Sequence, residues 1–417
     1  MTGNTSKTAA LDGAALPQQD IRRVRSNPDF WYPVAWSREL RRGRAIGVRY
    51  AGQPIVVVRP EAGAIFALDD VCPHRQLPLS KGEVCGDFIR CAYHGLKYSR
   101  RGQCFSPGMK LENEPPRLRT WACREKDGLI FVFMGDLEKS DSIALPDFPR
   151  VRDPHYRTRR FGKVVQCHYS FMHENLMDMN HQILHSRLVG SMKPRFLGMD
   201  RGEDFVEARY TFARTSGRQP LSEALIYGQR RKDGRDFAYR DVMTIRTQYP
   251  YQTLRIETEG IDEPVMELWI AYVPQDREEL INRVFGLLSI RRLKIPFLLD
   301  LAWPLLIAFT ERVFTEDREI VELEQQAWRE QDGDRNQEVF PVIMRCANCL
   351  SRMVCRPRKI SDNKLIDAHA PSQGAWASSP DQAPRRSGAH FAVRADMTAI
   401  RKPCLCLSEH RNPEIAP

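Results

Sequence analysis

The sequence lacks any apolar run long enough to cross a membrane, because a spanning helix needs about 20 consecutive, predominantly apolar residues. Its most apolar stretch runs only from Ile295 to Phe309 and is interrupted by Pro296, Asp300 and Pro304. We therefore expect a helix there that belongs to the core or lines a pocket, with no membrane span. Contact with a membrane surface is the lesser alternative.

A secretory signal is also missing. The first residues are rich in Thr, Ala and Gln, and they contain no basic start followed by an apolar segment. The eleven cysteines are an odd number, which does not suit a complete disulfide framework. Both features predict a reducing compartment, and we expect a cytoplasmic protein.

Acidic residues are in deficit, because 53 Asp and Glu stand against 63 Lys and Arg, a net charge of +10. Basic chains often bind nucleic acid, but no nucleic-acid-binding motif accompanies this charge, so we expect no such partner. The chain has 417 residues, of which 42% are hydrophobic and 28% charged. These values indicate an ordinary globular protein with room for two cores.

Two short loops carry one cysteine and one histidine each. Cys72 and His74 stand in the first loop, and Cys91 and His94 in the second. Two thiolates and two imidazoles are the ligands of a Rieske [2Fe–2S] cluster, in which two His replace two Cys on one iron and raise the reduction potential. A structural zinc site also uses two Cys and two His, but usually in the order Cys-Cys then His-His. The mixed loops favour the iron–sulfur cluster.

Residues 28–135 resemble the Rieske family on these two loops. Respiratory electron-transfer members of that family carry an additional Cys in each loop, whereas Leu77 and Tyr93 hold the equivalent positions here. The resemblance therefore implies the oxygenase branch. Lys97, Arg100 and Arg101 follow the second loop directly. They form either a basic rim that binds a partner protein or an ordinary solvated turn. A basic rim would receive an acidic ferredoxin or reductase.

A second set of candidate ligands lies about eighty residues further on. If residues 169–186 form one helix, His181 and His185 share a face at i and i+4, with Asp178 and Asn175 on the same stripe. Two imidazoles on one face need a carboxylate from elsewhere to complete a 2-His-1-carboxylate site for Fe(II). The spacing of Asp178 suits an acceptor for the ring N–H of His181 rather than a metal ligand. An ordinary polar helix is the alternative.

The pattern Asn175-x-x-Asp178-x-x-His181 resembles the mononuclear iron site of Rieske non-heme iron oxygenases. Many members place four residues between the two histidines, whereas three separate them here. The resemblance puts the third ligand at Asp317, in an acid-rich helix. Sequence alone does not separate Asp317 from Glu316 or Glu319, and a solvated charged helix face is the alternative.

The resemblance also implies a reaction scheme and an assembly. Electrons come from NAD(P)H through a reductase, with or without a ferredoxin, and pass from the [2Fe–2S] cluster to a mononuclear Fe(II) that uses O₂ on a small-molecule substrate. The oxygenase is expected to be a homotrimer in which His94 of one chain contacts Asp178 of its neighbour. Asp178 and Asn175 are the expected catalytic residues beside the metal ligands.

The loop sequence Tyr93–Tyr98, which contains Leu96, and the stretch Phe30–Ala35 resemble the monooxygenase and O-demethylase branch, which includes the vanillate and dicamba types. Ring-dihydroxylating α subunits commonly have Trp where Leu96 stands. We therefore expect hydroxylation or oxidative demethylation of an aromatic or other cyclic molecule. Ring cis-dihydroxylation is the first alternative, and a Rieske electron carrier without oxygenase activity is the second.

The expected fold is α+β, with an all-β Rieske domain followed by a helix-grip catalytic domain built on an antiparallel sheet. Short strands are expected at 45–50, 54–58, 64–68 and 128–134, and longer ones at 205–212, 241–247, 253–258 and 267–272. A helix is expected at about 310–329. The proposed domains are a disordered leader (1–25), the Rieske domain (26–142), a Pro-rich linker (143–155), the iron domain (156–345) and a low-complexity tail (346–417). Cys346 and Cys349 open the tail, where a metal site is a minor alternative.

Overall fold

The computed structural model describes residues 20–106, 108, 117–216, 219–227, 241–293, 295 and 297–354. Its first half contains ten short strands in two antiparallel sheets. They are β1 (Trp31–Trp36), β2 (Arg44–Tyr50), β3 (Gln53–Arg59), β4 (Phe66–Asp69), β5 (Glu83–Cys85), β6 (Phe88–Arg90), β7 (Lys97–Ser99), β8 (Cys104–Phe105), β9 (Thr120–Lys126) and β10 (Leu129–Phe133).

The larger sheet has the strand order β1-β10-β9-β4-β3-β2, and the smaller one is β5-β6-β7-β8. One candidate cluster loop follows β4, and the other joins β6 to β7. The strands are rich in β-branched and aromatic residues that pack well on a pleated surface. Both loops therefore extend from a rigid all-β framework, as the sequence predicted.

The second half is built on one antiparallel sheet with the order β11-β18-β17-β16-β15-β14-β13, to which β12 adds by pairing with β18. Its strands are β11 (Tyr156–Phe161), β12 (Val164–Val165), β13 (Ser191–Arg201), β14 (Phe205–Ser216), β15 (Asp241–Gln248), β16 (Tyr251–Thr258), β17 (Met266–Pro274) and β18 (Asn282–Arg291). The helices are α1 (Pro149–Arg152), α2 (Tyr169–Met177), α3 (Ser186–Val189), α4 (Leu221–Tyr227), α5 (Leu298–Glu330) and α6 (Pro341–Val354). The α+β prediction is confirmed.

The two halves share a hydrophobic core. Trp269 on β17 and Phe285 on β18 are buried in the same cluster as Trp31 and Phe131 of the first half. Trp269 also meets Phe148, just before α1, edge to face, with ring centroids 4.8 Å apart. This packing fixes the orientation of the sheet framework of the first half relative to the large sheet of the second half. The boundaries proposed at 142 and 155 remain predictions.

Three local predictions were wrong. The expected helix at 169–186 is broken, because Asp178 leaves the helical region with φ −86° and ψ 96°. Ile21 and Arg22, placed in a disordered leader, are buried. Helix α6 extends nine residues past 345 and buries Cys346 and Cys349, which were assigned to the tail. The rest of the leader and of the tail lies outside the described residues.

Helix α5 begins at Leu298, twelve residues before the predicted start, and includes most of the apolar stretch 295–309. Its buried residues are Leu299, Leu306, Val321 and Gln325. None of the described helices combines the length and apolar character that crossing a bilayer requires.

Candidate metal centres and substrate cavity

The first candidate centre lies between two backbone turns. The N–H of Cys72 donates to the Leu77 carbonyl at 2.8 Å, and the N–H of Cys91 donates to the Leu96 carbonyl at 2.8 Å. These paired turns bury both cysteines and leave His74 and His94 exposed, with ring centroids 4.5 Å apart. Two buried thiols and two exposed imidazoles are the donor set that would hold a [2Fe–2S] cluster of the Rieske type.

A buried tyrosine contacts one of the thiols. The Tyr98 hydroxyl lies 3.4 Å from Cys72 Sγ, where it can donate to a thiolate. Burial raises the pKa of Tyr98, so the hydroxyl keeps its proton. Burial also raises the pKa of the Cys91 thiol. A thiol in this environment becomes a thiolate when a cation binds it, which agrees with a role as an iron ligand.

The second candidate centre depends on the break in the helix at Asp178. The Asp178 carboxylate accepts the backbone N–H of Asn180 at 2.8 Å and so caps a 3-10 helix that spans Met179–Ile183. His181 lies on this 3-10 helix, and His185 lies at the N-terminal cap of α3. The tighter turn replaces the continuous α-helix that the sequence predicted, but it still directs both imidazoles to the same side.

Three ligand atoms converge there. Asp317 Oδ1, on α5, lies 3.2 Å from His185 Nε2 and 3.6 Å from His181 Nε2. The ligand atoms of the three residues lie within 4.8 Å of one another. Asp317 Oδ1 is buried and accepts no hydrogen bond from the described part of the chain. A divalent cation would satisfy this oxygen, and two imidazoles with one carboxylate suit Fe(II).

Glu316 occupies a different position from its neighbour Asp317. The Nδ1–H of His185 donates to Glu316 Oε2 at 2.8 Å, which leaves Nε2 facing Asp317. This hydrogen bond fixes the ring orientation and the tautomer that a metal-binding imidazole needs. The geometry therefore favours Asp317 as the ligand and gives Glu316 a positioning role. Glu319, the other candidate, is exposed. The adjacency of two acids was visible in the sequence, but their opposite roles were not.

The two predicted catalytic residues lie beside this set. Asn175, in the last turn of α2, lines the adjoining cavity. Both Asn180 hydrogen bonds go to Asp178 Oδ1, from the backbone at 2.8 Å and from the side chain at 3.1 Å. The buried ring Nδ1 of His181 makes no hydrogen bond to the Asp178 carboxylate, so the expected contact between these two side chains is not formed within one chain.

A cavity of about 260 Å³ opens beside the three ligands and is mostly apolar. Methionine, branched aliphatic and phenylalanine side chains form much of its wall, and they come from α2, the 3-10 helix after it, β16, β17 and α5. Sequence alternation on the strands predicts inward-facing apolar positions, but not that they would enclose a cavity. The wall residues include Met172, Met179, Leu254, Ile256, Met266, Leu268, Ile270, Phe309, Val313 and Phe314.

The charged residues at the cavity wall, apart from the ligand set, are paired with protein groups. Glu223 binds Arg214 at 2.5 Å, and both side chains are largely buried. Arg159 binds Glu311 and the Thr310 hydroxyl. These pairs neutralise the two charges that could otherwise bind an ionised substrate.

The chain is similar to known oxygenases in both halves. A family profile described as the Rieske [2Fe-2S] domain matches residues 30–116, and one described as the vanillate O-demethylase oxygenase C-terminal domain matches residues 165–343. A 4beta-methylsterol monooxygenase of Methylococcus capsulatus is 29% identical over 350 residues, which cover 80% of this chain and 90% of that protein.

Two further similarities concern dicamba-oxidising proteins. The oxygenase component of dicamba O-demethylase of Stenotrophomonas maltophilia is 36% identical over 153 residues, 36% of this chain and 45% of that protein. This match spans less than half of that relative. A crystal structure of dicamba monooxygenase bound to dicamba superposes with a TM-score of 0.63 and 22% identity, over 84% of this chain and 100% of that one. The superposition supports the fold.

Oxygenase components of this family work with a reductase or ferredoxin and act on small molecules. They contain a [2Fe–2S] cluster and a mononuclear iron, for which the two sets of residues described above are suited. Because a Rieske domain is followed by the C-terminal domain of the vanillate O-demethylase oxygenases, the chain belongs to the Rieske oxygenases, as an oxygenase component related to O-demethylases and monooxygenases.

Proposed function

We propose that this chain is the terminal component of a monooxygenase that hydroxylates a neutral cyclic molecule, or removes a methyl group from it oxidatively. The observation that carries the proposal is the convergence of His181, His185 and Asp317 beside an apolar cavity. An electron carrier needs no substrate cavity beside a second metal centre. When bound, the iron and the cluster supply the reduction of O₂ by external electrons, with one oxygen atom entering a C–H bond and the other leaving as water.

The protein's own residues would hold and orient these groups. Cys72, His74, Cys91 and His94 hold the cluster, and His181, His185 and Asp317 hold the iron. Glu316 orients the His185 ring through the 2.8 Å hydrogen bond. Burial lowers the pKa of His181, which favours the neutral imidazole that binds metals. Asn175 and the apolar walls position the substrate and exclude water from the reacting carbon.

We propose a neutral, mainly hydrocarbon substrate because, among the described residues that line the cavity, each charged side chain outside the ligand set has a protein partner. The cation in the described cavity lining is Arg159, which is held by Glu311 and the Thr310 hydroxyl, so an ionised carboxylate would have to compete with that ion pair. The similarity to a 4beta-methylsterol monooxygenase over 90% of its length supports a polycyclic lipid as the substrate class.

We also propose a homotrimer in which electrons cross between subunits. His74 and His94 are exposed at the end of the Rieske framework, and Ile183, at the end of the 3-10 helix that Asp178 caps, is exposed as well. His94 of one subunit would contact Asp178 of the next, which in turn would orient His181. His181 Nδ1 makes no hydrogen bond to the Asp178 carboxylate in the single chain, which is consistent with a contact that forms on assembly.

The electron donor is proposed to be an acidic ferredoxin or reductase fed by NAD(P)H. Arg101 is exposed near the second cluster loop, and Lys97 lies in β7. Opposite charge would steer the encounter and make the reduction rate fall with ionic strength. A reducing cytoplasmic location fits the eight cysteines of the described ranges, which are free thiols.

A single-turnover experiment tests the proposal. The protein is purified anaerobically, and the ligand inventory predicts about three irons and about two sulfides per chain. The reduced protein is then mixed with ¹⁸O₂ and either a 4-methylsterol or vanillate. We expect one ¹⁸O atom in the sterol product and no turnover of vanillate. Two ¹⁸O atoms in the product would instead support dioxygenation. About two irons per chain after Fe(II) reconstitution, without product, would support an electron carrier.

A further inference from the structure

The outward side of the first half of α5 is apolar. Leu301 is 82% exposed, and Phe297 and Ile295, which precede the helix, are 81% and 63% exposed. Leu305 follows Leu301 by one helical turn and is exposed as well. Helix positions that face water are normally polar, with apolar residues on the face toward the core. We call these four residues the α5 apolar face.

The inward side of the same segment is apolar too. Leu299 and Leu306 are buried against Leu225 and Ile226 of α4. A helix segment with apolar residues on both sides is expected where another apolar phase covers the outer side. Leu221 of α4 is also largely exposed, which extends the apolar surface beyond α5.

The charge around the α5 apolar face is positive. Asp300 is the one acidic residue in residues 298–310, and it is paired with Arg157 and, at 2.6 Å, with Arg292. Arg312 is exposed and lies on the same side of α5 as Leu301 and Leu305, by their spacing. The second half of the helix differs, because Glu319 and Glu330 are exposed there. Apolar exposure is thus combined with basic residues at one end of α5.

The same two helices border the substrate cavity. Phe309, Val313 and Phe314 of α5 line it, together with Glu223 and Ile226 of α4. The α5 apolar face therefore lies directly before the cavity wall along the chain. A neutral hydrocarbon substrate dissolves poorly in water and resides in membranes, so a lipid surface at this position would shorten its transfer.

We propose that the α5 apolar face docks on the surface of a bilayer containing anionic phospholipids. Leu301, Leu305 and Phe297 would enter the boundary between headgroups and acyl chains, as interfacial helices do, while Arg312 would meet lipid phosphates. In a symmetric dimer formed through this face, Arg312 of each copy would lie against the same basic surface of the other. Repulsion between these like charges disfavours a symmetric dimer here. The reason for docking, which is the delivery of a lipid substrate, rests on the proposed function. The binding of this face to a bilayer does not depend on it.

Flotation with lipid vesicles tests the docking on the full chain with its metal centres. Vesicles of phosphatidylcholine with phosphatidylglycerol are compared with vesicles of phosphatidylcholine alone. We expect flotation with the anionic vesicles that weakens with added salt. The double variant Leu301→Asp/Leu305→Asp should lower the partition coefficient at least about tenfold. Arg312→Glu should lower it about fivefold or more, and on anionic vesicles alone.

Leu323→Asp is the matched control, because Leu323 is an exposed leucine on the acidic second half of the same helix. It should float like the unmodified protein.

Cluster absorbance and the melting temperature identify a variant that misfolds, in which case Arg312→Glu decides. Failure of the unmodified protein to float, or equal flotation of all variants, would overturn the docking. A change of oligomeric mass in the double variant without vesicle binding would assign the face to a subunit contact. Flotation and oligomeric mass are measured without turnover, so failure of the docking proposal can be distinguished from failure of the proposed function.

Discussion

Glu316 accepts the Nδ1–H of His185 at 2.8 Å, although the two residues lie 131 positions apart in the chain. The hydrogen bond selects the tautomer of His185 whose Nε2 is free to bind a metal. Asp317, the next residue on α5, lies 3.2 Å from that Nε2. Two adjacent acids on one helix therefore face opposite nitrogens of one imidazole: Glu316 accepts from Nδ1, and Asp317 lies beside Nε2, where its proposed role is that of a metal ligand.

Replacing Glu316 with Gln should weaken iron binding by about 10- to 100-fold, because an amide orients and polarises the imidazole less than a carboxylate does. Iron affinity is measured by Fe(II) titration of protein that retains its cluster, and the cluster spectrum should not change. Glu319→Gln, an exposed change on the same helix, serves as the control. Equal iron affinity in both variants would remove the positioning role from Glu316.

Asp178→Asn should leave the cluster and the iron assembled and lower turnover by about 10- to 100-fold, because the neutral amide no longer aligns two imidazoles across subunits. Iron and sulfide are counted first, and then the rate at which the reduced cluster is reoxidised by O₂ and substrate is followed. Asp200→Asn changes an exposed carboxylate on β13 and should behave like the unmodified protein. Normal reoxidation in Asp178→Asn would refute the bridging role.

Glu279 predicts a pH dependence of folding stability. It is buried and accepts the backbone N–H of Ser26 at 2.7 Å, and burial raises its pKa from 4.5 to about 7. The folded state therefore holds this proton more tightly than the unfolded state, so the contribution is complete below pH 4.5 and is lost as the pH rises through 7. The loss amounts to up to about 3 kcal/mol.

The variant Glu279→Gln keeps an oxygen for Ser26 but does not ionise. Its melting temperature relative to the unmodified protein should therefore be higher at pH 8 than at pH 5. Glu278→Gln, at the neighbouring exposed position, is the matched control and should show the same difference at both pH values. A pH-independent difference for Glu279→Gln would mean that this carboxyl does not titrate in the range given.

The strands and the ligand loops could be predicted from the sequence because both signals are local. Alternation of apolar residues located β14 to β17, and the spacing of Cys72 with His74 and of Cys91 with His94 identified the cluster loops. The break at Asp178 could not be predicted. The Asp178 carboxylate accepts the backbone N–H of Asn180 only when the backbone leaves the α-helical conformation, and the sequence pattern does not show which of the two conformations is adopted.

Long-range packing set the other limits. Cys346 and Cys349 stand three apart, which suggests a metal site, but on α6 this spacing directs both thiols toward the core. The pairing of Glu316 with His185 and the enclosure of the cavity also depend on how α5 lies across the sheet. Local patterns do not contain this information, and the resemblance to a family implied the ligand positions and the fold but not these contacts.

The contact of Tyr98 with Cys72 predicts a shift in the reduction potential of the cluster. The hydroxyl lies 3.4 Å from the Cys72 sulfur, and a hydrogen bond to a ligating sulfur stabilises the more negative, reduced cluster. Tyr98→Phe removes the hydroxyl and keeps the buried ring, so the potential should fall. The fall is on the order of 50 mV, which corresponds to one hydrogen bond of about 1 kcal/mol in a one-electron couple. Tyr156→Phe is the control, because its buried hydroxyl donates to the Pro264 carbonyl at 2.7 Å, in the other half of the chain. Redox titration followed by EPR measures both variants, and an equal potential in Tyr98→Phe and Tyr156→Phe would show that the Tyr98 hydroxyl does not act on the cluster.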